Sequence, residues 1–356
     1  MDLFIVCGNL RAGGAERVVS ILANKFQSIG HSISVITWYE TDVFYKFEPN
    51  IRILQIPVVS GKNGFAGQMK WLRTFVKREQ PDVVLSFLAP FNILTVFSLI
   101  GVKIPILVAE RNDPYFVSPK HNGFWKVIRN VAYNKADGIL VQTNMSKSHF
   151  PKYLQDNATV IFNPVTFSPE KIGVALRIEK RKEIVSVTRL HEQKNVQMLI
   201  RSFAEVHKMH PEYPLTVYGE GELRGELETL VRELGLVKFV SLPGKKSNVH
   251  DLIVGAEIFA MASDFEGMSN SLIEAMCLGL PCISTKVSGS TDLIQDHKNG
   301  ILIDTGSQEQ LTHALLELIY DSQKRERYGR EASKLYEMLN VDVISDQWLG
   351  YIKKYL

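Results

Sequence analysis

Leu3-Phe-Ile-Val-Cys7, then Gly8-Asn-Leu-Arg-Ala-Gly13-Gly14, then a helical pattern from Ala15 to Ile29 follow one another without a break. The apolar run is long enough for a buried strand, and the switch to a 3.6-residue period marks a helix. Glycines at the junction let backbone approach a ligand closely, and a helix start offers free amides to phosphate. A tight turn with no ligand needs glycine as well, and the spacing is not the G-x-G-x-x-G of dinucleotide sites.

Outward from this unit the same alternation repeats. Ser32 to Trp38, Ile51 to Ile56, Val83 to Leu88, Ile106 to Ala109 and Gly138 to Gln142 are short apolar runs, with helical or loop segments between them, one a helix around Gly67 to Glu79. This rhythm predicts a parallel sheet covered by helices on both faces. Ligands bind such sheets beyond the carboxyl ends of the strands. One rim would then carry Gly13, Gly14, Ser86 and the cluster Glu110-Arg111-Asn112-Asp113, which also reads as a plain loop ion pair.

The rhythm ends at Val160 to Val165, and Ser168 to Lys182 is charged and irregular. A domain boundary is expected here, giving residues 1–165 and 166–340 with a terminal helix of about 341–356 joining the first domain. A second alternation begins at Ile184 to Val187 and continues through Leu215 to Tyr218, Val237 to Leu242, Ile258 to Ala260, Cys282 to Ser284 and Gly300 to Leu302. Gln308 to Tyr320 and Gln323 to Leu339 read as helices, as does Val343 to Leu356, which carries Trp348, Tyr351 and Tyr355 and is expected to pack across the domains.

At 356 residues the chain is long enough for two domains, each with its own core. Three cysteines (Cys7, Cys277, Cys282) form no disulfide or metal-binding spacing and fit a reduced cytoplasmic setting. The amino terminus shows no signal-peptide pattern. Val83 to Val102 is the most apolar stretch, but Pro90 and Asn92 divide it into a strand and a helix, against a membrane span. Residues 1–165 hold 18 Lys+Arg against 11 Asp+Glu, a net +7, and the remainder holds 23 against 27, a net −4. Basic and aromatic residues alternate at Lys70, Trp71, Arg73, Phe75, Lys77 and Arg78, and at Lys120, Phe124, Trp125, Lys126 and Arg129. Such faces suit an anionic membrane surface, or are ordinary amphipathic helices. No nucleic-acid motif accompanies the charge.

The second half carries the densest chemistry. Arg189 and Lys194, five residues apart after a strand, can clamp a diphosphate or line a solvated loop. Gly219 and Gly221 allow close backbone approach after the next strand. In Asp264 to Cys282, Glu266 lies in a polar turn and Glu274 in an apolar helical segment, with seven residues between them. A helix start with a nearby carboxylate suits a sugar phosphate. A capping Glu266 beside a half-exposed Glu274 is the simpler alternative.

Taken in order, Gly13-Gly14-Ala15-Glu16-Arg17, Asn163-Pro164, Arg189 with Lys194, Gly219-x-Gly221-x-Leu223, Glu266-Gly267 and the Glu266/Glu274 pair resemble the retaining glycosyltransferases of family 4. Ser86-Phe87-Leu88 with Ala109-Glu110-Arg111-Asn112 looks most like the bacterial members that extend lipid-linked oligosaccharides or surface polysaccharides. The resemblance implies a GT-B fold, two Rossmann-like doubly wound domains with an interdomain cleft. It implies a nucleotide-sugar donor, UDP-linked, and a lipid-linked glycan acceptor on the inner face of the cytoplasmic membrane. Arg189 and Lys194 would face the diphosphate, Glu266 the donor sugar and Glu274 the ribose. Gly267, Met268, Ser269 and Asn270 would line the donor, and Gly13 and Gly14 would approach its phosphate. Ser86, Glu110, Arg111 and Asn112 would meet acceptor or donor. No metal and no cofactor beyond the donor is implied. The chain departs from the family at Arg111, where histidine is frequent, and in Met268-Ser269-Asn270 after Gly267. A non-catalytic nucleotide-sugar-binding partner of another transferase is the alternative reading.

Overall fold

A computed structural model describes residues 1–40, 42–58, 64–112 and 122–356. The chain divides into two units, Met1–Thr166 with Leu339–Leu356, and Phe167–Met338. The first contains strands β1 (Asp2–Cys7), β2 (Ser32–Thr37), β3 (Arg52–Gln55), β4 (Val83–Phe87), β5 (Ile106–Ala109), β6 (Gly138–Val141) and β7 (Ala158–Val160). The second contains β8 (Arg181–Val187), β9 (Leu215–Tyr218), β10 (Val240–Gly244), β11 (Ala256–Met261), β12 (Cys282–Thr285) and β13 (Ile301–Ile303).

The orders are β3-β2-β1-β4-β5-β6-β7 and β10-β9-β8-β11-β12-β13, with every paired strand parallel. Each sheet reverses direction once. β1 lies between β2 and β4, and β8 lies between β9 and β11. These are the switch points at which a doubly wound sheet opens a crevice beyond its strand ends. Helices cover both faces, which is why the central strands are apolar without alternation: Phe4, Ile5, Val6, Val84, Leu85, Ile258, Phe259 and Ala260 are all fully buried.

Local differences from the expected elements have physical causes. Val237 is 63% exposed and precedes β10, which begins only at Val240. The helix expected over residues 323–339 is two, Ser322–Ser333 and Tyr336–Leu339. The apolar stretch after β4 forms the helix Ala89–Leu99, with Pro90 in its first turn, where a missing N–H costs nothing. Among the described residues no helix is long and apolar enough to cross a membrane.

The terminal helix Val341–Ile352 packs within the first unit. Trp348 is fully buried and stacks on Phe87 with ring centroids 5.7 Å apart, and the Tyr351 hydroxyl donates to the Ile139 carbonyl at 3.2 Å. Gly138 in β6 has no room for a side chain, because a Cβ there would stand 2.3 Å from the Tyr351 hydroxyl oxygen.

Candidate active site

In the second unit the loops after β8 and β11 are stapled together. Asp264 N–H donates to the Gln193 carbonyl at 2.9 Å, and Gln193 Nε2 returns a bond to the Phe265 carbonyl at 2.7 Å. Asn195 Nδ2 reaches Asp264 Oδ1 at 3.0 Å. Asn195 adopts φ 44°, a left-handed conformation that asparagine tolerates, and its side chain caps the helix Val196–Met209. The turn Glu192–Lys194 is thereby aimed at the end of β11.

Lys194 Nζ makes an ion pair with Glu266 Oε1, and the Ser263 hydroxyl donates to the same oxygen at 2.9 Å. Glu266 is 7% exposed, a burial that a carboxylate sustains only when paired and hydrogen-bonded. It is not a helix cap. Ser269 caps the helix Asn270–Cys277, its hydroxyl accepting from the Leu272 N–H. Glu274 is on that helix and only 5% exposed, so the half-exposed alternative does not hold. Its Oε2 lies 2.9 Å from His250 Nε2. Arg189 is exposed at the mouth of the β8 loop.

The glycines of this rim are close approaches of backbone to backbone. Gly219 has φ 152°, and a Cβ there would meet the Thr188 carbonyl oxygen at 1.7 Å. At Gly221 it would meet the Leu190 carbonyl oxygen at 2.2 Å. Gly289 serves the loop after β11 in the same way, since a Cβ there would lie 2.8 Å from the Gly267 carbonyl oxygen and from Met268 Cα.

The first unit's rim is built differently. Gly13 is the extended cap of the helix Gly14–Ser28, and its carbonyl accepts from the Tyr45 hydroxyl at 3.0 Å. A Cβ at Gly13 would meet only the end of the flexible Glu16 side chain, at 2.0 Å. Glu110 is wholly buried, with Tyr133 donating to Oε2 at 2.7 Å and the Asn112 N–H reaching Oε1 at 3.4 Å. Asn92 Nδ2 donates in turn to the Tyr133 hydroxyl at 2.8 Å. Burial raises the Glu110 carboxyl above its ordinary range, against the opposing pull of Tyr133 and Arg129. Burial also lowers the Arg111 guanidinium to about 9, with Glu110 opposing. Arg111 donates to Asn163 and lies about 6.0 Å from the ring centroids of Phe87 and Trp348, while its Nε and Nη1 have no hydrogen-bond partner among the described residues.

Ser86 does not join this group: it is fully buried and its hydroxyl bonds Thr95 Oγ1 at 3.2 Å. Asn112 is exposed, and Asp113 falls outside the described residues, as does Lys120. The basic-aromatic runs also divide. Phe75 is buried, stacked 4.8 Å from Trp71 and 5.5 Å from Phe4, and Arg73 bonds the Ser98 and Ile100 carbonyls. Arg129 is only 2% exposed and lies 4.9 Å from the centroid of the Phe150 ring, so it is not a surface cation. The helix Asn122–Tyr133 nevertheless presents Phe124, Trp125, Val127 and Val131 to solvent.

Ser263, Gln193, Gly289 and His250 were not singled out from the sequence. Ser263 carries a faint signal, a small polar residue at a strand end three positions before Glu266. Nothing local marks His250, whose partner lies 24 residues away.

Two doubly wound parallel sheets, with charge gathered at the switch point of the second, define a two-Rossmann transferase of the GT-B type. Residues 12–168 match the family described as Glycosyltransferase Family 4 and residues 168–335 the one described as Glycosyl transferases group 1, and the chain belongs to these glycosyltransferases. It is 28% identical over 99% of its length to a Campylobacter jejuni enzyme, 98% of which is covered, named as a GalNAc-alpha-(1->4)-GalNAc-alpha-(1->3)-diNAcBac-PP-undecaprenol alpha-1,4-N-acetyl-D-galactosaminyltransferase. A second C. jejuni protein, named as an N-acetylgalactosamine-N,N'-diacetylbacillosaminyl-diphospho-undecaprenol 4-alpha-N-acetylgalactosaminyltransferase, is also 28% identical, with 97% of each chain covered. Among solved structures, Anabaena HepE in complex with UDP superposes with a TM-score of 0.82 at 17% identity, covering 99% of this chain and 100% of that one.

Proposed function

We propose that this glycosyltransferase moves an N-acetylhexosamine or hexose from a UDP-sugar to a polyprenyl-diphosphate-linked oligosaccharide, with retention at the anomeric carbon and with no metal or other cofactor. The observation that carries the reading is the Lys194–Glu266–Ser263 cluster at the β8/β11 switch point. The two C. jejuni relatives support the acceptor class, since each is named for an undecaprenol-diphosphate-linked glycan. HepE with bound UDP supports the nucleotide.

In this reading Arg189 and Lys194 neutralise charge growing on the departing diphosphate, the work a metal does elsewhere. The bond from anomeric carbon to diphosphate oxygen breaks while the acceptor hydroxyl oxygen bonds the same face, and the acceptor's proton passes to the leaving phosphate oxygen. Glu266 holds donor hydroxyls beside the reacting carbon, and Glu274 accepts from the ribose. Amides at Gly267, Met268, Ser269 and Asn270 line the donor, and those at Gly13 and Gly14 approach its phosphate. Glu110, Arg111 and Asn112 serve the acceptor side, where the buried guanidinium nitrogens offer donors to an anionic group.

The exposed Phe124, Trp125, Val127 and Val131, with Lys126 among them, would rest on the anionic inner face of the cytoplasmic membrane. The deciding experiment supplies UDP-N-acetylhexosamines and an undecaprenyl-diphosphate-linked oligosaccharide in the presence of EDTA. An α-linked product is expected, with its anomer assigned by NMR. A β-linked product would sink the retaining mechanism, and abolition by EDTA that added Mg²⁺ restores would sink metal independence.

A further inference from the structure

His250 belongs to none of the motifs above, yet it is bonded to one of the carboxylates they name. It is the second residue of the short helix Val249–Ile253 that follows β10, and its Nε2 lies 2.9 Å from Glu274 Oε2. The ring is held from behind. Phe167 packs edge-on against it with centroids 4.8 Å apart and planes at 81°. The Phe167 carbonyl accepts from the Tyr336 hydroxyl at 2.8 Å. Lys171 Nζ lies 5.7 Å from the Phe167 ring and pairs with Asp251, the neighbour of His250, at 2.7 Å. Phe167 and Glu274 are both buried, at 8% and 5% exposure, so the imidazole has little freedom to turn away.

A glutamate side chain has three rotatable bonds and loses entropy when a ligand fixes it. A carboxylate already oriented by a hydrogen bond has lost that freedom beforehand. We propose that His250 is a positioning residue for donor recognition: it fixes the Glu274 carboxylate in the one orientation that receives the nucleotide's ribose hydroxyls. This rests on the reading of Glu274 as the ribose acceptor. His250 acts on the donor only through Glu274 and makes no contact with the diphosphate or the transferred sugar, so its removal raises the donor KM and leaves kcat nearly unchanged.

The test is a double-mutant cycle on UDP binding by calorimetry, with KM and kcat for the UDP-sugar measured in parallel. His250→Phe keeps a ring against Phe167 and removes the hydrogen bond, and His250→Gln keeps a donor. Glu274→Gln should weaken UDP binding about tenfold or more, the scale of a charged hydrogen bond. His250→Phe should weaken it about fivefold, His250→Gln should recover most of that, and adding His250→Phe to Glu274→Gln should cost little more than Glu274→Gln alone. If Glu274→Gln binds UDP as the native chain does, the ribose reading falls and the inference with it. If Glu274→Gln weakens UDP but His250→Phe does not, the inference alone falls. Additive losses, or a fall in kcat at unchanged KM, would also overturn it. Matched thermal melts of His250→Phe and the native chain separate these results from a folding defect.

Discussion

The β8/β11 rim and the β5 rim both lie beyond carboxyl strand ends of two sheets wound on the same plan, but they treat charge in opposite ways. In the second unit a lysine and a glutamate meet directly, with a serine completing the pair. In the first, Glu110 is enclosed by a tyrosine and a backbone amide, and the neighbouring guanidinium keeps two nitrogens without a partner among the described residues. Burial pushes the Glu110 carboxyl toward its protonated form, with the Tyr133 bond and the charge of Arg129 opposing. The same architecture thus yields one rim with a direct ion pair and one with a carboxyl whose protonated form burial favours.

The largest expected effect that would break this contrast is at Lys194. Lys194→Ala removes the cation and strands a buried Glu266, and sugar transfer should fall by about 10² to 10³ in kcat/KM. A loss under threefold would show that the pair is only structural. Next come the glycines. Gly219→Ala drives a methyl into the Thr188 carbonyl and should cost about 2–4 kcal/mol in chemical denaturation, whereas Gly13→Ala displaces only the end of Glu16 and should cost under about 1 kcal/mol. Equal losses at the two positions would erase that distinction.

Glu110 supplies the pH test. Its folded carboxyl titrates above its unfolded value, so the folded state binds the extra proton and native stability declines as pH rises from the unfolded value to the folded one. Glu110→Gln should remove that decline, the difference between variant and native growing by at most about 1.4 kcal/mol per pH unit across the window. Parallel stability profiles for the two chains would contradict the assignment. The smallest effect is expected at the surface: Phe124→Ser with Val127→Ser should reduce flotation with anionic liposomes several-fold and leave melting unchanged. Undiminished flotation would remove the helix Asn122–Tyr133 from the membrane contact.

That each unit holds a parallel sheet covered on both faces was legible because buried parallel strands are apolar throughout and their separators are rich in glycine and charge, whereas the double winding came from the family resemblance. Glu266, Glu274, Arg189 and Lys194 were legible as polar residues placed just beyond strands or within an apolar helix. Partnership was not. The Glu110–Tyr133–Asn92 chain and the His250–Glu274 contact join residues separated by 23 to 41 positions, and only strand order and register bring them together. Arg129 was misread for a related reason. Helical spacing says which residues share a face, but not which face the Phe150 ring will cover.

The helix Val341–Ile352 has a consequence for how the protein is made. A ribosome completes β1 to β7 long before it reaches Trp348, yet Phe87 waits for that indole, and the Ile139 carbonyl for the Tyr351 hydroxyl. The first unit to emerge is therefore the last to be finished. A nonsense codon near Leu339 would spare the later-made sheet and leave the earlier one open, exposing Phe87 to whatever binds unfinished chains.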